Sequence, residues 1–174
     1  MDLTTIIIGI VLLLAFVIPI TIAVRRQKNN KQKLENELAA IGQANQMNIS
    51  EKEAWKNKVI GLDRQTNKVL FLVRKKPVNE VVVVDLKEYA KCEASRGSRS
   101  VESGGKSQYQ VVTAVSLRFI PRERTKPDQQ LLLYNDDIDF PLDAELRIAE
   151  EWADSLNTIM RKMPKTEPAA AAVS

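Results

Sequence analysis

Residues 108–119 read Gln-Tyr-Gln-Val-Val-Thr-Ala-Val-Ser-Leu-Arg-Phe. Tyr109, Val111, Thr113, Val115, Leu117 and Phe119 fall at every second position, with Gln108, Gln110, Ser116 and Arg118 set between them. Side chains alternate across a strand, so this pattern describes a half-buried antiparallel strand with one apolar face and one wet face. Upstream, Val59-Ile60-Gly61-Leu62-Asp63 and Val69-Leu70-Phe71-Leu72-Val73 flank the polar tetrad Arg64-Gln65-Thr66-Asn67, which predicts a hairpin. The β-branched run Val81 to Val84, ending in Asp85-Leu86, and the segment Tyr89 to Ser95 predict two further strands. A Gly/Ser-rich loop is expected from Arg96 to Lys106. Downstream, a polar loop with two prolines, residues 121–128, leads to a short strand at Leu131-Leu132-Leu133-Tyr134 and to a second short strand at Ile138 to Phe140.

The period then changes. Leu142, Leu146, Ala149, Trp152, Leu156, Ile159 and Met163 are three or four apart, the apolar stripe of a helix packed on a core. Asp143 and Glu145 open that helix and Arg161 and Lys162 close it, both signs favourable to the helix dipole. Pro164 ends it, and residues 164–174 read as a disordered tail. Strands in succession followed by one amphipathic helix define an α+β class: a curved antiparallel sheet, or partly open barrel, capped by the C-terminal helix.

At the other end, Leu3 to Val24 is a run of 22 positions without a charged side chain, followed at once by Arg25, Arg26, Lys28, Lys31 and Lys33. As a helix the run reaches about 33 Å, against a hydrocarbon core of about 30 Å. The expectation is a single-pass transmembrane helix at residues 1–24, with the lipid bilayer as its partner. Basic residues beside a span stay inside, so the N-terminus is placed outside an inner (cytoplasmic) membrane and the rest of the chain in the cytoplasm. A cleaved signal would carry its charge before the apolar run and small residues at its end, so an uncleaved signal-anchor is expected. The five basic residues are then candidates for contact with lipid headgroups. From Asn29 to Met47 polar residues surround Leu34, Leu38 and Ile41 on one helical face, which makes residues 25–48 a basic collar and helical stalk. Residues 49–163 form one domain of ordinary size.

The net charge of +4 belongs to the collar, because residues 34–174 hold 21 basic and 21 acidic side chains. That balance argues against nucleic acid as a partner. Within the domain the charge is uneven: residues 51–126 carry 17 basic and 9 acidic side chains, residues 127–174 carry 4 and 10. The densest positive groups are Arg74, Lys75 and Lys76, and Arg118, Arg122, Arg124 and Lys126, both beside expected loops. They are the candidate partner or lipid contacts. Cys92 is the only cysteine and the chain has no histidine, so Cys92 reads as a packed strand residue rather than a nucleophile. Ser100 to Ser107 ends in Gly-Lys-Ser, but Ser100 stands where a phosphate-binding loop needs its first glycine, and a strand follows where a helix is required. Asp136, Asp137, Asp139 and Asp143 lack the glycine and distal glutamate of a calcium loop and read as turn and helix-start residues. No catalytic set, cofactor or metal site is expected.

The order of hairpin, β-run, Gly/Ser loop, long alternating strand, short strand ending Leu133-Tyr134, and a helix bearing Ala149-Glu150-Glu151-Trp152 resembles a bacterial pleckstrin-homology-like domain over residues 55–163. The resemblance implies a binding or scaffolding module. The phosphoinositide-binding subset carries a basic motif in its first hairpin loop, whereas Arg64 is the single cation of the tetrad here. The expected function is a non-catalytic, membrane-tethered scaffold or adaptor that recruits a protein. The alternative is a membrane-surface lipid or small-ligand sensor using the sheet cavity and the Arg118 to Lys126 loop.

Overall fold

The computed structural model describes the backbone of residues 3–103, 107–123 and 125–163, and the side chains of residues 12–101, 109–123 and 125–163. A long helix, α1 (Leu3–Ala44), leads into seven strands: β1 (Glu51–Trp55), β2 (Lys58–Asp63), β3 (Lys68–Val73), β4 (Glu80–Asp85), β5 (Tyr89–Ser103), β6 (Ser107–Pro121) and β7 (Gln129–Asn135). A single helical turn, α2 (Asp136–Asp139), and the helix α3 (Glu145–Lys162) follow. The strands form two antiparallel meanders, β1-β2-β3-β4 and β5-β6-β7.

Two expectations are corrected here. The sheet is not one curved sheet or partly open barrel: a 3₁₀ turn at Leu86–Glu88 breaks the ladder between β4 and β5, and among the described residues no barrel closes. Nor is a membrane span found. Among the described residues no helix is long and apolar enough to cross a membrane. The single-pass anchor, the inner-membrane location and the N-outside, C-cytoplasmic orientation are withdrawn with it.

The C-terminal half of α1 has a different place from a free stalk. Alternation sends Ile60 and Leu62 of β2, and Val69, Phe71 and Val73 of β3, into the space between the sheets. Val59, Leu70 and Leu72 point the other way, where Leu34, Leu38 and Met47 cover them with Ile41 and Ile49. Strands β2 and β3 are thus buried on both faces, which is why Val-Leu-Phe-Leu-Val is a continuous apolar run. Gly61 permits the approach, since a Cβ there would lie 2.6 Å from Leu38 Cδ2. The helix ends in a Schellman turn: Gln46 takes φ of 57°, Met47 N–H donates to the Gly42 carbonyl at 2.8 Å, and Gln46 N–H to that of Gln43 at 3.0 Å. That turn folds the chain back into β1.

Between the sheets, the expected face of β6 supplies Val115, Leu117 and Phe119. Helix α3 adds Ile148, Ala149, Trp152, Ala153, Leu156 and Met160. Two polar clamps fix the helix. Trp152 Nε1–H donates to Glu53 on β1 at 2.9 Å, and Asn157 exchanges two hydrogen bonds with the Cys92 backbone on β5. The segment Arg96 to Lys106, expected as a loop, continues β5 through Ser103 in antiparallel pairing with β6, with one register shift between Gly97 and Ser98 and with Ser103 opposite Ser107. Gly104 to Lys106 lie outside the described residues. Ile138 to Phe140, expected as a strand, forms the end of α2 and the residue after it, because the Asn135 side chain caps the turn by accepting from Asp137 N–H at 3.1 Å.

Candidate functional site: a cleft between two sheet edges

The sheets meet at α3 on one side and stay apart on the other. On the open side a cleft of about 490 Å³ runs between β4 and β7. Its floor is apolar: Phe71 and Val73 from β3, Val82 from β4, Leu131 and Leu132 from β7, and Ile138 from α2. Its rim is charged, with Lys58, Arg74, Lys75 and Lys76 against Glu80 and Asp139. Lys58 and Asp139 cancel as a buried pair, Glu37 and Glu80 balance Arg74 and Lys75, and Lys76 leaves the mouth net positive.

The turn between β1 and β2 builds one end of the cleft. Lys58 Nζ and Asp139 Oδ1 lie 2.6 Å apart, and both side chains are almost fully buried. The other Asp139 oxygen accepts the Asn135 N–H at 2.9 Å, so the carboxylate is held from both sides. Lys56, at φ of 45°, donates to the Asp139 and Pro141 carbonyls. It makes a 2.6 Å ionic contact with buried Glu145, without hydrogen-bond alignment, and lies 5.3 Å from the centroid of the Tyr134 ring. The two lysines thereby fasten the first sheet to the start of α3. Trp55, in the same turn, donates its indole N–H to the Leu133 carbonyl at 3.3 Å.

The sequence-selected residues distribute as follows. Arg74, Lys75 and Lys76 stand together at the mouth. Arg74 pairs with Glu37 of α1 at 2.6 Å, Lys75 pairs with Glu80, and Lys76 has no ion-pair partner among the described residues. Arg118 is on β6, and Arg122 and Lys126 lie in the β6–β7 connection against the 3₁₀ turn that follows β4. Arg118 pairs with Glu93 at 2.8 Å, Lys126 contacts Glu88 and Glu123, and Arg122 donates to the Lys87 carbonyl at 3.0 Å. Hydrogen bonds from Lys91 and Arg118 hold the Glu93 carboxyl below its ordinary range, and Glu93 in turn raises Arg118. Arg124 lies outside the described residues. The two basic groups are therefore separate, and only the first borders the cleft. Arg25, Arg26, Lys28, Lys31 and Lys33 are exposed on α1.

Of the four aspartates, Asp139 is committed to Lys58 and Asp136 contacts Arg99 at 3.3 Å. Among the described residues no cluster of acidic, cysteine or histidine side chains is arranged to hold a metal ion. Cys92 is fully buried, and burial pushes its thiol up to about 12, the opposite of an activated nucleophile. Ser103 and Ser107 lie in paired strands, so the Gly-Lys-Ser segment joins strand to strand. Sequence reasoning missed Lys56, Lys58, Val82 and Ile138. Lys58 meets a carboxylate 81 residues away, and no local pattern signals that contact. No family model, curated protein or solved structure matches this chain.

Proposed function

We propose that the chain is a non-catalytic binding module of the pleckstrin-homology-like kind that recruits a protein partner through the cleft between β4 and β7. One observation carries the reading: an apolar floor of about 490 Å³ opens between two strand edges under a net-positive rim. Apolar side chains of a partner gain by leaving water on that floor, and a carboxylate beside Lys76 gains a cation that has no described competitor. The succession of strands and a terminal helix over residues 55–163 agrees with the element order on which the resemblance rests, and the function itself is argued from the cleft.

Selection of random peptides against the full chain tests the reading. Ligands that combine apolar residues with Asp or Glu are expected. Their binding should fall at least about tenfold on K75E/K76E and stay unchanged on R122E. Ligands that bind K75E/K76E as well as the native chain would place the partner surface elsewhere and refute the proposal.

A further inference from the structure

Four strand edges bound the two sheets; on β5 and β7 side chains of other elements take up edge backbone groups, and β1 is tied to α3 through a side chain of its own. On β5, the Asn157 amide of α3 accepts from Cys92 N–H at 2.9 Å and donates to its carbonyl at 2.7 Å. Beside β1, Glu53 is held by Trp152 and Arg147 of α3. On β7, Trp55 occupies the Leu133 carbonyl and Asp139 the Asn135 N–H.

Strand β4 has no such cover. Among the described residues its one ladder is to β3, in unbroken register from Glu80 to Asp85. It contains no proline, no lysine and no bulge, the devices that normally blunt an edge. Its four central residues are valines, and Val81 and Val83 remain 41% and 45% exposed on the outer face beside α1. A regular, β-branched edge of this kind is a template for another strand.

The edge is complementary to itself. In a two-fold antiparallel pair, outer-face residues must meet outer-face residues, so the register centres on a residue and not between two. Centred on Val82, Val81 meets Val83 of the second copy, Glu80 meets Val84, and Asn79 meets Asp85. Exposed valines then cover one another, no like charges are opposed, and an amide faces a carboxylate at each end. Centring on Val83 would set Asp85 against Val81. Centring on Val81 would set Asp85 against Pro77, which has no N–H to pair. We propose that two copies of this chain associate through β4, antiparallel and centred on Val82, to join their four-stranded sheets into one of eight strands. The pairing is argued from the β4 edge alone and does not rest on the peptide-binding reading of the cleft, which Glu80 and Val82 of the same strand line.

A six-residue edge lies at the small end of specific interfaces, so the association is weak and is best read covalently. Single-cysteine variants V81C, V82C, V83C and V84C of the full chain would be oxidised mildly at about 100 μM. Buried Cys92 supplies little background. V82C should give the most disulfide dimer, and a mixture of V81C with V83C should crosslink better than either alone. In the background V81K/V83K, whose changed positions are exposed and whose fold is checked by circular dichroism, the 82–82 crosslink should drop about tenfold, because like charges then face each other. Absence of a maximum at position 82 would overturn the proposal. So would a crosslink that V81K/V83K leaves unchanged, which would assign the association to another surface, such as the exposed apolar residues 12–24 of α1.

Discussion

Substituting Gly61 tests whether α1 is part of the fold, because the helix approaches the sheet through the space that a side chain there would fill. A Cβ at Gly61 would lie 2.6 Å from Leu38 Cδ2 and 2.8 Å from Ile49 Cγ2, about 1 Å inside ordinary carbon–carbon contact. The Leu38 methyl is the far end of a flexible side chain, but Ile49 Cγ2 is fixed close to its backbone, so relief requires a movement of the chain. Overpacking of this kind costs about 1–3 kcal/mol. Removing a glycine from a strand returns about 0.5–1 kcal/mol. The net expectation for Gly61→Ala is a loss of about 1–2 kcal/mol, read as a lower urea midpoint at unchanged m-value. Leu38→Ala, at a fully buried position, should cost about 2–5 kcal/mol by itself. The two changes should not add fully: Leu38→Ala relieves the closer contact and leaves that with Ile49, so the double-mutant cycle should show a coupling of about 0.5 kcal/mol. Gly97→Ala is the control, since its Cβ would first meet Thr113 Oγ1 at 3.2 Å, and it should stay within about 0.5 kcal/mol of native. If Gly61→Ala is neutral or stabilising, or if it adds fully to Leu38→Ala, the helix is not seated as described.

Two further outcomes follow from buried charge. Asp139→Asn leaves the Lys58 ammonium buried without a counter-charge and should cost about 3–5 kcal/mol, whereas K58M/D139N, which keeps an acceptor for Asn135 N–H, should recover most of that loss; equal urea midpoints for the single and double variants would contradict the pairing. At Asp63, burial pushes the carboxyl upward, but N–H donors from Asn48, Thr66 and Gln65 outweigh it and hold the group below its ordinary value of 3.8. A lowered carboxylate stabilises the fold above the unfolded value and ceases to as pH falls through the folded one, so the native chain should lose stability from about pH 4 downward more steeply than Asp63→Asn, and parallel acid-unfolding curves would refute this.

The parts of the fold that were legible are those whose signal is local. The hairpin around Arg64 to Asn67, the β-run at Val81 to Val84 and the alternation from Tyr109 to Phe119 each declare a strand within a few residues, and the spacing from Leu146 to Leu156 declares the helix. The errors arose where a partner decides. Arg96 to Ser103 is poor in β-formers, yet pairing with the strongly patterned β6 extends it as a strand. Leu34, Leu38 and Ile41 form only two turns of stripe, too short to declare a partner, although Val69 to Val73 already signalled a strand covered on both faces. The apolar N-terminal run shows the limit of composition: 22 uncharged positions predict a span, yet among the described residues no helix is long and apolar enough to cross a membrane. The candidate site was half visible. Arg74 to Lys76 stood out by charge, while the apolar floor is assembled from β3, β4, β7 and α2 and exists only once the sheets are stacked.

The distribution of satisfied and unsatisfied edges argues where this molecule meets others. Side-chain clamps have been placed at Cys92, Glu53, Leu133 and Asn135, each spending a polar group of one element on the free backbone or rim of another. The outer face of β2 and β3 is closed by α1, and the inner corner by α3. What remains open is contiguous: the β4 edge, the cleft beneath it, and Lys76 at the mouth. Among the described edge strands, β4 alone has neither a backbone group taken up by a side chain of another element nor a side chain tied to α3. Because Arg74 and Asn79 of the β3–β4 loop both bond Glu37 of α1, the same helix that closes the outer face also steadies the loop presenting Lys76. Undocking α1 through Gly61 should therefore weaken peptide binding at the cleft as well as stability, whereas Gly97→Ala should affect neither. Binding that survived full undocking of the helix would separate the frame from the site.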